Sequence, residues 1–397
     1  MAQTPPVSTA LSPQQAQQKA AQLNAAARSA VLATAVEMTQ PIQVTTFNPL
    51  QQNPLVIIPR NVGLITSFLV VLTGTISNND TTNALTLTDI GLANLLSSIQ
   101  FTDLNNNQRH QTSGWHLSFL NSIKHRKPYA SGYALETDTM GGYGENYPIL
   151  QTPATIAASG QGAFRAVFEI PVSYSRDDLR GAIFANVVNA TMNLSLTINP
   201  KSFTATGQDS TFAVYKGSTN AVFSSLTATV YQNYFDQLPR NPDGTIILPT
   251  DDLSTVYELK NTSVTGIAAN NEFGFQYPNF RDILSTFMIY NHDISVDTGR
   301  AIGTDINYWA LQSANFTNIW KKYPLDLAQD TRQILGTDLP KGAYYASSRR
   351  RPISSVQYGN MEIVLNALTA GNNAWLFIGL ENFNRPNVVV GAGSIQS

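Results

Sequence analysis

The side chains able to do chemistry in this sequence fall into three groups. His110 and His116 lie close together and would begin a metal site if further ligands converged on them. His116 follows Trp115 on a predicted helix, however, and reads more simply as a residue at the edge of a core. The carboxylate pairs Asp177-Asp178 and Asp251-Asp252 would bind calcium or share a proton. Each pair sits at an expected turn or helix start, where Asp caps backbone N–H groups, and that role is preferred. Arg349-Arg350-Arg351, closed by Pro352, is the only dense positive run. It would contact phosphate, or else lie in a solvated loop or pair with acidic groups of a neighbouring subunit, and the latter readings are preferred. The chain has no cysteine, which removes disulfides, thiolate nucleophiles and thiolate metal centres. It also lacks a Gly-x-Ser-x-Gly elbow, a phosphate loop and a His-Glu-x-x-His motif. No catalytic residue, metal or cofactor is assigned.

The elements that must position these groups are mostly strands. In Phe164–Ile170 the residues Phe164, Ala166, Phe168 and Ile170 share one face, and Met192–Ile198 alternates without a break. Period-2 patterns of this kind belong to sandwiches with one dry and one wet face. A long aromatic strand covers Thr227–Phe235. Helices are few. Thr112 would cap one carrying Trp115, Phe119, Leu120 and Ile123. A second would start near Thr304, with Ile306, Trp309, Ala310 and Ser313 on one face. A third would run from Pro324 to Gly336. Ser175–Ala185 fits a short helix or a loop.

The Ala- and Gln-rich beginning reads as a helical arm, residues 1–40. Ser12-Pro13-Gln14-Gln15 is its start signal, Pro41 its end, and Leu23, Ala27, Val31, Ala35 and Met38 one thin apolar stripe. So thin a stripe cannot fold alone; it lies on something or remains a solvated arm. A turn-rich stretch at Leu238–Gly244 suggests a boundary, giving units 41–239 and 240–397. Trp115-His116-Leu117 and Trp309-Ala310-Leu311 hint at duplication.

Composition bears on partners. Only 13% of residues are charged, against about 25% in ordinary soluble proteins. Asn, Thr, Ser and Gln take the surface positions, as expected where a surface is to be covered by copies of itself. The formal net charge of −2 gives no general pull toward nucleic acid, and no sequence-specific nucleic-acid binding is expected. The start has no secretory pattern, and the longest apolar stretch, Val62–Ile76, is too short and too polar to span a bilayer. A soluble chain made in a reducing cytoplasm is expected.

Several blocks carry a resemblance. Gln108–Leu117, Leu87-Thr88-Asp89 with Ala93-Asn94-Leu95, Pro153–Ala158 and Tyr231–Pro239 are similar to the major capsid proteins of tectivirus-type tailless, membrane-containing bacteriophages. So are Asp252–Thr255, Gly303–Tyr308, Ala314–Phe316, Thr337–Tyr345 and Gln357–Asn360. The blocks keep the expected order from about residue 60 to 360.

The resemblance implies an all-β chain of two tandem eight-stranded jelly-roll β-sandwiches with a few short flanking helices and the amino-terminal arm. It further implies a homotrimer of near-hexagonal outline. Such trimers tile an icosahedral shell around an internal membrane and a double-stranded DNA genome, assembled in the host cytoplasm. Partners would be neighbouring capsomers, minor capsid, vertex and membrane proteins, and inner-membrane lipid reached by Leu23, Ala27, Val31, Ala35 and Met38. Deleting residues 1–38 is expected to leave a folded trimer and impair shell formation. Two rivals are weighed. One is a carbohydrate- or receptor-binding β-sandwich protein of a phage, suggested by Tyr143, Tyr147 and Trp375. The other is a carbohydrate-active enzyme using Glu145 or Asp293, disfavoured because no acidic pair faces a common groove.

Overall fold

The computed structural model describes residues 12–46, 54–127, 129, 150–187, 190–278, 281–293, 295, 300, 303–314, 316, 318–371 and 373–384. Glu145, Tyr143 and Tyr147 lie outside them. Among the described residues, eight strands build the sandwich of the first unit: β1 (Val36–Thr46), β2 (Leu55–Ile57), β3 (Leu64–Asn78), β4 (Leu96–Thr102), β5 (Gln108–Thr112), β6 (Gln161–Pro171), β7 (Asn193–Ile198) and β8 (Ala221–Asp236). Eight more form the second: β9 (Val256–Thr265), β10 (Asn271–Gln276), β11 (Arg281–Asn291), β12 (Ile306–Ser313), β13 (Trp320–Lys322), β14 (Ala343–Ser347), β15 (Met361–Ala367) and β16 (Trp375–Asn384).

The pairing order is the same in both units. In the first, β1-β8-β3-β6 faces β2-β7-β4-β5; in the second, β9-β16-β11-β14 faces β10-β15-β12-β13. Each is a jelly roll. The first core joins Phe68, Val70, Leu72, Phe168 and Val230 to Ile99, Phe101, Leu194 and Leu196. The second joins Met288, Tyr290, Leu376 and Ile378 to Trp309, Leu311, Ile363 and Leu365. The alternation in β6 works as expected, since Phe164, Ala166, Phe168 and Ile170 are all buried. Short strands 85–87, 155–156, 203–205 and 215–217 make a separate small sheet.

Four helices matter below: α1 (Pro13–Thr34), α2 (Gly114–His125), α3 (Thr250–Ser254) and α4 (Pro324–Leu335). Ser12 and Gln15 form the capping box of α1, as its sequence implies. Gly336, at φ 75°, ends α4. Ser113, not Thr112, stands at the N-cap of α2; Thr112 closes β5 and its hydroxyl meets His116.

Two expectations fail. The helix expected from Thr304 is strand β12. Trp309 and Leu311 enter the second core, while Tyr308 and Ala310 pack with Val364 on the opposite face. A strand buried on both sides loses its period-2 signature. The Trp-x-Leu match therefore compares a helix with a strand. Second, α1 ends at Thr34, not at Pro41, because β1 starts at Val36. Pro41 sits inside that edge strand, where the register shifts by a bulge, a position that tolerates a missing N–H. Met38 is accordingly a strand residue. The ambiguous segment 175–185 is a loop with a short strand at 183–184.

Candidate assembly interface

The two rolls are fused along a seam. β5 pairs in parallel with β9, His110 opposite Leu259 and Gln111 opposite Lys260, so one sheet runs through both units. His110 ties the seam with both ring nitrogens. Nδ1 accepts from the Leu259 N–H at 3.1 Å, and Nε2 then donates to the Pro171 carbonyl at 2.6 Å. Lys260 Nζ donates to the Gln108 carbonyl at 2.6 Å.

Helix α2 fills the space beside this ladder, and ten of its twelve residues are buried. Phe119 packs on Phe287, which stacks with Tyr345 of β14. The His116 ring lies over the backbone of β16 at Gly379; a Cβ there would come within 2.5 Å of the ring. His116 Nδ1 meets the Thr112 hydroxyl at 2.7 Å. Burial holds both histidines neutral, pushing His110 down to about 3 and His116 to about 4. Each ring serves the seam, and no grouping of three or more metal-binding side chains occurs among the described residues.

A buried charge cluster locks the same seam. Glu381 of β16 accepts from Arg349 Nε at 2.9 Å, from the Tyr257 hydroxyl at 2.8 Å and from Ser285; Lys124 Nζ of α2 stands 3.8 Å away. Burial opposes the charge on Glu381, but Arg349 and Lys124 outweigh it and keep the carboxyl below its ordinary range. Burial pulls Lys124 down to about 8 despite Glu381.

The arm is anchored at the junction between the rolls. Its inward face is Asn24, Ala27 and Val31. Val31 packs with Leu64, Leu179, Phe235 and Leu238. Arg28 donates from Nε at 2.7 Å and from Nη2 at 3.0 Å to the Asp252 carboxylate, and Asn24 Nδ2 donates to it at 3.0 Å. The side-chain Oδ1 of Asn24 in turn accepts from the Asp251 N–H. Asp252 is therefore more than a cap. Sequence reasoning missed this polar clasp, although a lone Arg one turn after an Asn in an Ala-rich helix was a usable signal.

The expected site residues divide. Ala27 and Val31 face the protein and Ala35 ends the helix, but Leu23 is 63% exposed and Met38 belongs to β1. The five do not form one stripe. The basic run divides too. Arg349 turns inward to Glu381, its side chain 15% exposed; Arg350 and Arg351 stay exposed and line a groove of about 540 Å³ with Trp320, Asp330, Ile334 and Tyr358. Asp178 is used within its own loop by Arg180. Trp375 is half-buried in β16, packed on Phe377. No helix among the described residues is long and apolar enough to cross a membrane.

Comparison with known proteins agrees with this architecture. The chain is 38% identical over 384 residues to Major capsid protein P3 of Enterobacteria phage PRD1, covering 96% of this chain and 95% of that one. Among solved structures, the STIV MCP aligns with a TM-score of 0.63 at 12% identity, over 90% of this chain and 100% of that one. PBCV-1 VP54, fitted into a reconstruction of the virophage Sputnik, aligns at 0.53 and 10% identity, over 88% and 94%. These two likenesses concern the fold. Residues 3–238 match the family P3 major capsid protein N-terminal and residues 254–397 match P3 major capsid protein C-terminal. The chain thus belongs to the P3 major capsid protein family, and its part in the virion is structural, not enzymatic.

Proposed function

We propose that this chain is the repeating tile of an icosahedral phage shell, working as a homotrimer of near-hexagonal outline around an internal membrane and double-stranded DNA. The observation that carries the reading is the presence of two rolls of one topology, side by side in a chain similar along its length to a phage capsid protein. Three such chains present six comparable sides, a shape that tiles with little open surface. The uncharged polar surface favours many weak contacts that no buried charge opposes.

The arm is the part of residues 1–40 that precedes β1, its helix ending at Thr34; the rolls from Val36 to residue 239 and over 240–397 are the two working units. The clasp of Asn24 and Arg28 on Asp252 offers the arm a docked state. Its open face, with Leu23, is left for a lattice neighbour or for lipid. Assembly takes place in the host cytoplasm with minor capsid, vertex and membrane proteins. Sedimentation velocity on the purified chain tests the reading: a threefold species is expected, and a single chain at high concentration would overturn it. Removing residues 1–34, which spares β1, is expected to leave that species intact and abolish closed shells.

A further inference from the structure

The internal seam uses one edge of each roll and leaves the matching edges open. β5 gives its free side to β9. The strand in the place of β5 in the second roll is β13, and the strand in the place of β9 in the first is β1. Among the described residues, β13 pairs only with β12 and β1 only with β8. Open edges invite another strand unless something covers them.

We infer that β1 of a second copy of this chain packs against β13, α4 and the Arg350–Arg351 groove, repeating the β5–β9 seam from chain to chain. This deepens the trimeric-tile reading and rests on it.

The register assigns the contacts. β1 begins with Val36 opposite Asp236, the last residue of β8, as β9 begins with Val256 opposite Asn384, the last of β16. Leu259 and Lys260 thus correspond to Thr39 and Gln40. One residue separates β5 from α2, and one separates β13 from α4, so His110 and Gln111 correspond to Trp320 and Lys321. Thr39 of the second copy would lie opposite Trp320, and Gln40 opposite Lys321. Pro41, without an N–H, follows at once; the internal ladder likewise stops after Lys260.

The side chains fit this arrangement. Tyr257, second in β9, fills a space among His110, Tyr174 and Lys124, whose Nζ lies 4.5 Å from the tyrosine ring centroid. In the second roll the corresponding space is the groove lined by Trp320, Asp330, Ile334, Arg350 and Arg351. Asp330 is held there by Lys322, whereas Arg350 and Arg351 have no carboxylate partner among the described residues. The residue of β1 matching Tyr257 is Glu37, a part-exposed carboxylate whose ion pair on its own chain is to the exposed Arg176. An incoming carboxylate would meet two free guanidinium groups. Leu325 of α4, 79% exposed, stands where α2 has Trp115, 3% exposed beside Asn261–Ser263 of β9. On the second copy that stretch is Pro41–Gln43, followed by exposed Val44.

The absence of cysteine gives a direct test. Gln40→Cys and Lys321→Cys are placed in one chain, oxidised, and run on a denaturing gel without reductant. Linked pairs and triplets of chains are expected, with single chains from either change alone. In parallel, Arg350→Glu with Arg351→Glu is expected to weaken association roughly a hundredfold by sedimentation, with Glu37→Arg restoring it; an unchanged circular dichroism melt of separated chains checks the fold. A wild-type threefold species that neither cross-links nor responds to the charge reversal would overturn this interface and leave the tile reading standing. A single-chain wild type would overturn both.

Discussion

Helices α2 and α4 occupy the same place in two rolls of the same topology and have the same length, yet their surroundings differ. Ten residues of α2 are buried and only four of α4: Pro324, Leu327, Thr331 and Leu335. Leu117 and Leu327, at matching positions, are both fully buried, so each helix is seated on its own roll alike. The difference lies on the far side. There α2 meets β9, β11 and β16 through Trp115, His116 and Phe119, while α4 shows Leu325 to solvent. A helix in a fixed frame keeps its inner face; its outer face records whether a neighbour is covalently guaranteed.

The covalently guaranteed side should be the easier one to break. Glu381→Ala leaves Arg349 and Lys124 buried without their carboxylate. A loss of about 3–5 kcal/mol is expected in urea unfolding. A change below about 1 kcal/mol would mean that water reaches Arg349 and that the cluster is no lock. Trp115→Ala should cost a similar amount by leaving a cavity in the seam.

Acid should open the same seam next. His110 and His116 take up protons near pH 6.5 when unfolded but only near 3 and 4 when buried. Between those values the unfolded chain binds more protons, so stability falls as pH drops below about 6.5. The loss is on the order of 3 kcal/mol per histidine by pH 4. Substituting His116→Gln should flatten part of that slope. An unchanged slope would show that the carboxylates, not the seam, govern acid unfolding.

How far this contrast was legible in the sequence depended on the range of the interactions involved. Local signals served well: the capping box at Ser12, Gly336 after α4 and the alternation in β6 each act within a few residues. β12 was missed because a strand covered on both sides has no wet face to betray it. Pro41 seemed a stop because its place at a sheet edge is set by β8, far along the chain. The run Arg349–Arg351 looked like one patch, but successive side chains leave the end of β14 in different directions, and only Arg349 reaches Glu381. The open edges of β1 and β13 were illegible, since they are defined by the β5–β9 pairing that joins residues far apart in sequence.

The arm lies between the two cases, held by polar contacts and a small apolar cluster. Arg28→Ala leaves the buried Asp252 carboxylate with Asn24 as its remaining arm donor and should cost about 2 kcal/mol. Amide exchange in residues 13–34 should rise while β3 and β8 stay protected. Equal loosening of all three would make the arm part of the core and not a separable strut.

The smallest effect is expected at the rim, and there its smallness is the point. Leu325→Gln removes a large apolar side chain whose nearest counterpart, Trp115, is buried in the seam. Because Leu325 makes its surface contacts with water alone in the single chain, unfolding of chains diluted apart should move by no more than about 0.5 kcal/mol. A loss of about 2 kcal/mol would place Leu325 under cover of its own chain, and α4 would then be no rim at all. A silent change in the diluted chain, joined to weaker association when chains are concentrated, would mean that the same structural position stabilises the fold in one roll and the assembly in the other.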